Sequence, residues 1–163
     1  MSGPRIFIVG FSGSGKTAVG RRVATLLGWD FADTDERVAQ HAGRSIESIF
    51  AGGGEGAFRA LELEAIREAA VLDNVVVSTG GGAIVGDEER ASMLDTGFVV
   101  AVDARPETIY ARLSAPPATG YAEDGRAEDM VRPLLRAEAG QNPLERIDSL
   151  KRERQWAYAT AHW

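Results

Sequence analysis

The chain contains no cysteine, which excludes disulfides and thiolate metal sites and suits a reducing compartment. Histidine is almost as scarce, with two in 163 residues. Neither His41 nor His162 has a carboxylate or second histidine at ligand spacing, so no histidine metal centre is expected. Positive charge is also in short supply. The net charge is −6, whereas nucleic-acid scaffolds ordinarily carry a basic footprint. The three tryptophans, Trp29, Trp156 and Trp163, are therefore expected to pack rather than stack on bases. No apolar run approaches the ~18 residues of a membrane helix. The start, Met1 to Arg5, lacks a basic region followed by a long apolar stretch, so no secretory signal is expected. The expectation is one soluble, cytoplasmic, monomeric domain with neither nucleic-acid nor membrane partners.

What is present is a regular alternation. Apolar residues make up 44% and charged residues 26%, a globular balance long enough for one buried core. Arg5–Val9 is a continuous apolar run of the kind found in strands buried on both faces. Lys16 to Leu27 has helical spacing, with Val19, Val23, Leu26 and Leu27 as the expected apolar stripe and Gly28 as the stop. Asp30–Asp33, Asn74–Ser78 and Phe98–Val102 read as further strands. Asp35–Ala42, about Glu55–Val71, Asp87 to about Asp95, Pro106 to about Leu113 and Pro143 to about Ala159 read as helices. Strands alternating with helices predict a parallel β-sheet flanked by helices on both faces, a three-layer α/β/α domain. Ser114 to Met130 contains Pro116-Pro117, Gly120 and Gly125 without periodicity, and reads as a mobile loop or lid. A closing strand is expected after the last helix, but the sequence ends at Ala161-His162-Trp163.

Gly10-Phe11-Ser12-Gly13-Ser14-Gly15-Lys16-Thr17 matches the Walker A pattern and lies between an apolar strand and a helix, the context the motif requires. Its glycines let backbone N–H groups turn onto phosphates, Lys16 reaches the β/γ-phosphates, and the Thr17 hydroxyl suits Mg²⁺. No Asp-x-x-Gly follows the loop and no Asn-Lys-x-Asp exists to read guanine. The chain is also short for a motor ATPase, leaving a kinase for a small acceptor.

Asp33 and Asp35 lie two apart at a strand end, where open α/β sheets bind ligands. One could hold the cation's shell and the other a hydroxyl; equally, Asp33 could end a strand and Asp35 cap a helix. Thr79-Gly80-Gly81-Gly82 follows a buried strand at the same edge and permits close backbone approach to a ligand. Arg59, taken alone, reads as a solvated partner of Glu62 or Glu55. From Arg132 to Trp163 there are six Lys+Arg against four Asp+Glu, a locally basic stretch on an acidic chain that suggests contact with a small anion.

Together these motifs resemble the shikimate kinase family of the nucleoside-monophosphate-kinase-like P-loop fold. The resemblance runs from Ile6 to about Tyr158. It rests on Gly13–Thr17, Asp33-Thr34-Asp35, Gly43-Arg44-Ser45-Ile46 with Ile49-Phe50, Gly54-Glu55 with Phe58-Arg59 and Glu62, Thr79–Ala83, Arg132-Pro133-Leu134-Leu135, and Arg154 with Tyr158. It implies ATP-dependent phosphorylation of the shikimate 3-hydroxyl, on the route to chorismate and the aromatic amino acids. It further implies nucleotide contacts from Gly13, Ser14, Gly15, Lys16, Thr17, Ala18, Arg112 and Arg132, with Lys16, Asp35 and Arg132 catalytic. Thr17 and Asp33 would serve Mg²⁺, and Asp35, Arg59, Gly80, Gly81, Gly82 and Arg154 would hold shikimate. The chain departs from the family in a longer, acidic lid, with Arg112 and Arg132 20 positions apart, and in the absence of a closing strand and helix. A kinase for another hydroxylated acid, such as gluconate, and a non-catalytic nucleotide-binding relative are the alternatives.

Overall fold

The computed structural model describes residues 3–115 and 142–163. The lid expected between Ser114 and Met130, and Arg132 beyond it, therefore lie outside the described residues, apart from Ser114 and Ala115. Four strands, β1 (Arg5–Val9), β2 (Asp30–Asp33), β3 (Val75–Ser78) and β4 (Phe98–Ala101), form one parallel sheet in the order β2-β3-β1-β4. Ser78 stands opposite both Ile8 and Asp33, which aligns the C-terminal ends of three strands. The chain steps from β1 to one side for β2 and β3 and to the other for β4. The loops after β1 and β3 consequently meet at the point where the order reverses, the usual place for a ligand in such a sheet.

The helices are α1 (Lys16–Leu27), α2 (Thr34–Ala42), α3 (Ile46–Ala69), α4 (Asp87–Thr96), α5 (Pro106–Ser114) and α6 (Pro143–Tyr158). Alternation along the strands sends Phe7, Val9, Val75, Val77 and Val99 to one face, against Ile66, Ala69, Ile84, Met93 and Ala157. Ile8 and Val76 go to the other, against Ala24, with Val23 and Phe31 packed at the margin. This is the expected three-layer arrangement.

One local expectation changes and one element is added. The apolar stripe expected on α1 is not its buried face: Leu26 is 69% exposed, whereas Gly20 and Ala24 are buried. The helix approaches the sheet through its small residues, so closely that a Cβ at Gly20 would sit 2.8 Å from the Phe31 ring. The helix expected from about Glu55 is present: Gly54 (φ 67°, ψ −168°) is non-helical and separates it from a helical stretch that begins at Ile46, capped by the Ser45 hydroxyl on Ser48 N–H. Ile46 and Ile49 bury against Val38, Phe58 and Ala65, which docks the stretch before Gly54 onto α2 and onto the helix that follows.

The last residues lie along the outer edge of β4. His162 N–H donates to Val99 O (2.9 Å), Ala101 N–H donates to Trp163 O (2.6 Å), and the His162 ring stacks on Phe98. Two residues thus pair backbone groups along this edge of β4. The Trp163 side chain does not pack as expected; it is 83% exposed. Trp156 is half-exposed beneath the Arg90 guanidinium. No helix among the described residues is long and apolar enough to cross a membrane.

Candidate active site

The phosphate loop connects β1 to α1. Gly10, Gly13 and Gly15 all have positive φ (147°, 76° and 105°), the region an L side chain rarely tolerates. Gly15 caps α1 in this left-handed conformation, so Lys16, Thr17 and Ala18 start the helix with their backbone N–H groups toward the cleft end. Those groups and the helix dipole make an anion seat. Ser14 N–H donates to Phe11 O (3.1 Å) and Lys16 Nζ to the same carbonyl (3.0 Å). Lys16 is buried, and burial lowers its pKa, while Asp35, Asp33 and Glu62 pull it back up. A phosphate chain would relieve that burial cost by supplying the missing counter-charge. From outside the loop, Arg112 Nη1 donates to the carbonyls of Gly13 (3.0 Å) and Ser14 (2.9 Å). This places Arg112 against the phosphate loop itself.

Asp33 ends β2, and it, rather than Asp35, caps α2. Its Oδ1 caps α2 by accepting from Asp35 N–H (3.0 Å), and its Oδ2 accepts from the Thr17 hydroxyl (3.1 Å), which also lies 3.3 Å from Ser78 Oγ. The Thr17 and Asp33 oxygens form a hard-donor pair beside the phosphate seat. This donor set fits Mg²⁺, which typically takes one or two protein oxygens and completes its octahedron with water and phosphate.

Asp35 is not a solvated helix cap. Its Oδ1 is buried without a hydrogen-bond partner. Burial, and then the nearby Asp33 and Glu62 carboxylates, push its pKa up to about 7 against the pull of Lys16 and Arg59. Glu62 Oε1 is likewise buried and unpaired. Both oxygens crowd Gly80: a Cβ there would lie 3.0 Å from Asp35 Oδ1 and closer still to Glu62 Oε1. Gly80 is anchored by its N–H to the Thr34 hydroxyl (3.0 Å).

Arg59 pairs with Glu62 and Glu55 as expected, but it is only partly solvated, its side chain 31% exposed. Its partner Glu62 is fully buried, and the pair lies on the inner side of α3, where Phe58 and Ala65 pack against α2. Glu55 holds the other side of the guanidinium (3.2 Å). Burial opposes the Arg59 charge, but both carboxylates more than offset it and leave the guanidinium firmly cationic. A Cβ on Gly82 would fall 2.6 Å from Arg59 Nη2, so the glycine turn fits directly beneath the guanidinium. Arg154, on α6, donates to Gly81 O (3.3 Å) and lies over the Phe11 ring. Tyr158, one turn on, donates its hydroxyl to the same carbonyl (3.1 Å).

The fold therefore brings together Lys16, Thr17, Asp33, Asp35, Arg59, Gly80, Gly81, Gly82 and Arg154 at one sheet edge. Glu62, Phe11 and Tyr158 belong to the same cluster without having been given roles from sequence. The Arg59-x-x-Glu62 spacing was visible; its burial was not. Among the described residues, no group of three or more histidine, aspartate or glutamate side chains is arranged to hold a metal alone.

The family model for shikimate kinase matches residues 12–162. A shikimate kinase of Symbiobacterium thermophilum is 45% identical over 156 residues, covering 96% of this chain and 82% of the relative. One from Nitratidesulfovibrio vulgaris is 39% identical, with 96% and 82% covered. The solved shikimate kinase of Acinetobacter baumannii in complex with shikimate superposes with a TM-score of 0.83 at 34% identity, covering 98% of this chain and 81% of that one. With the phosphate loop, the buried carboxylates and the two arginines already in place, the chain belongs to the shikimate kinase family.

Proposed function

We propose that this site transfers the γ-phosphoryl group of ATP to the 3-hydroxyl of shikimate. The observation that carries the reading is the buried, unpaired Asp35 carboxylate, set between the phosphate-loop Lys16 and the Arg59 and Arg154 cations. A cyclic acid bearing hydroxyls needs cations for its carboxylate and an acceptor for its hydroxyl. Arg59 and Arg154 supply the first and Asp35 the second, with the glycine turn forming the floor.

ATP lies along Gly13–Ala18, its phosphates on the loop N–H groups and Lys16. Arg112 steadies the loop near the nucleotide. When bound with ATP, Mg²⁺ neutralises phosphate charge; Thr17 and Asp33 would hold it. Asp35 accepts the hydrogen bond of the shikimate hydroxyl and aims the oxygen at the γ-phosphorus. A new O–P bond forms as the bond to the β–γ bridging oxygen breaks, ADP leaves with that oxygen, and the hydroxyl proton passes to Asp35. A carboxyl with a pKa near 7 is matched to that task. Lys16 stabilises the charge that develops on the transferring group. Arg132, in the Arg-Pro-Leu-Leu motif, would close on ATP and help exclude water.

The test is a coupled assay of ADP release with shikimate, gluconate and nucleoside monophosphates side by side. Turnover dependent on shikimate is expected, with little above background for the others. A folded chain that releases ADP with gluconate but not with shikimate would overturn the reading.

A further inference from the structure

We propose that Tyr158 is a positioning residue for the acceptor. Its hydroxyl keeps the Gly81 carbonyl satisfied so that Arg154 is free to leave that carbonyl for the substrate's carboxylate. The proposal rests on the reading of Arg154 given above and adds a part that this reading does not use.

The geometry is a shared acceptor. Gly81 O receives Tyr158 Oη at 3.1 Å and Arg154 Nη1 at 3.3 Å, and a carbonyl oxygen has two lone pairs to offer. Both donors come from α6, one helical turn apart, and so reach the same atom. The two donors differ in what else can hold them. The Tyr158 ring packs against the main core beside Ala157, so its hydroxyl is fixed in direction. The Arg154 guanidinium has no carboxylate partner among the described residues; it lies over the Phe11 ring and beside the Tyr158 hydroxyl itself. Burial raises the phenol pKa while Arg154 lowers it, leaving a net upward shift, so Tyr158 stays protonated and donating throughout the working range.

Gly81 is also the point where acceptor and nucleotide machinery touch. A Cβ there would lie 2.6 Å from Ser12 Oγ and 2.9 Å from Ser12 N. Moving Gly81 would therefore move the turn against the phosphate loop. If Arg154 were the carbonyl's sole donor, its departure to bind an anion would leave a half-buried carbonyl unpaired and loosen the turn. With Tyr158 in place, Arg154 departs from an acceptor that remains bonded, and the turn keeps its place against Ser12.

The experiment compares steady-state kinetics and thermal melting of the wild-type chain, Tyr158→Phe, Arg154→Ala and the double variant. Phenylalanine keeps the packed ring and removes only the hydroxyl. In Tyr158→Phe the shikimate KM is expected to rise roughly 3- to 10-fold, the scale of one ordinary hydrogen bond, with the ATP KM unchanged within about two-fold. In the Arg154→Ala background the same change should add little, because the two residues act through one carbonyl. Equal shikimate KM values in Tyr158→Phe and wild type, or full additivity with Arg154→Ala, would overturn the proposal. So would a Tyr158→Phe chain that fails to fold, or in which kcat, both KM values and Tm fall together, since the hydroxyl would then be a structural bond. A wild-type chain with no shikimate-dependent turnover would instead overturn the underlying reading of the site.

Discussion

Asp35→Asn should make the protein less active and, above neutral pH, more stable. Asp35 has a folded-state pKa of about 7 against an ordinary value of 3.8. Between those values the native state holds a proton that the unfolded state has released. Stability therefore falls as pH rises through this window and levels off above it. At ~1.4 kcal/mol per pKa unit, the ionised Asp35 costs the empty protein about 4 kcal/mol at pH 8. Asparagine has nearly the shape of the protonated acid but cannot ionise. Its packing effects are the same at every pH, and only the ionisation cost changes between them. Melting the two chains at pH 4.5 and pH 8 in metal-free buffer without nucleotide isolates that cost. For a domain of this size the advantage of Asp35→Asn should grow by roughly 10 °C between the two conditions. At pH 8 shikimate phosphorylation should fall by about 10²-fold or more, since a general base contributes on that scale; at pH 4.5, where the wild-type Asp35 is itself protonated, the difference should narrow. A pH-independent difference in Tm would refute the reasoning, because it would mean that Lys16 and Arg59 already compensate the Asp35 charge in the empty site.

The local elements of this chain were legible because their signals are local. An apolar run before Gly10, the glycine pattern and the helical spacing after Lys16 specify a strand, a phosphate loop and a helix between Arg5 and Leu27. Their parallel assembly follows from alternation. What sequence did not disclose was set by contacts between distant segments. Gly54 interrupts α3, and the helical stretch before it is anchored by Ile46 and Ile49 meeting Val38 and Phe58, contacts that no local signal announces. Leu26 and Leu27 look like the core face of α1, yet Phe31 draws Gly20 and Ala24 to the sheet instead. The site shows the same division. Lys16 announces itself in the glycine pattern after β1, and Asp33 and Asp35 by their spacing at the end of β2. Glu62 is charged and helical, which is indistinguishable from a surface residue until α2 and α3 close over it. The shared carbonyl of Gly81 is less legible still, since its two donors lie more than seventy residues away.

Two further substitutions separate the phosphate side of the site from the acceptor side. Lys16→Ala should slow phosphoryl transfer by about 10²-fold or more, because it removes a charge that acts on the developing phosphate oxygens; wild-type single-turnover rates in that variant would mean the loop has another function. Gly82→Ala should act on shikimate alone. Gly82 has φ −112° and ψ −3°, a conformation alanine adopts, so its effect is steric rather than conformational. The added methyl would meet Arg59 Nη2 at 2.6 Å and Nη1 at 3.1 Å. The guanidinium cannot swing away without leaving both Glu62 and Glu55, and abandoning the fully buried Glu62 would strand a charge. Displacement of Arg59 by even about 1 Å would misalign the carboxylate clamp, at a cost that reaches 10²-fold in such sites. A shikimate KM raised about 10-fold or more, with ATP KM nearly unchanged, is expected. Gly56→Ala provides the comparison: it lies on the same helix with open space where its methyl would go, and should leave both KM values alone while raising Tm slightly. If Gly82→Ala proved as silent as Gly56→Ala, Arg59 would be mobile, and the buried pair it makes with Glu62 could not be what orients the substrate.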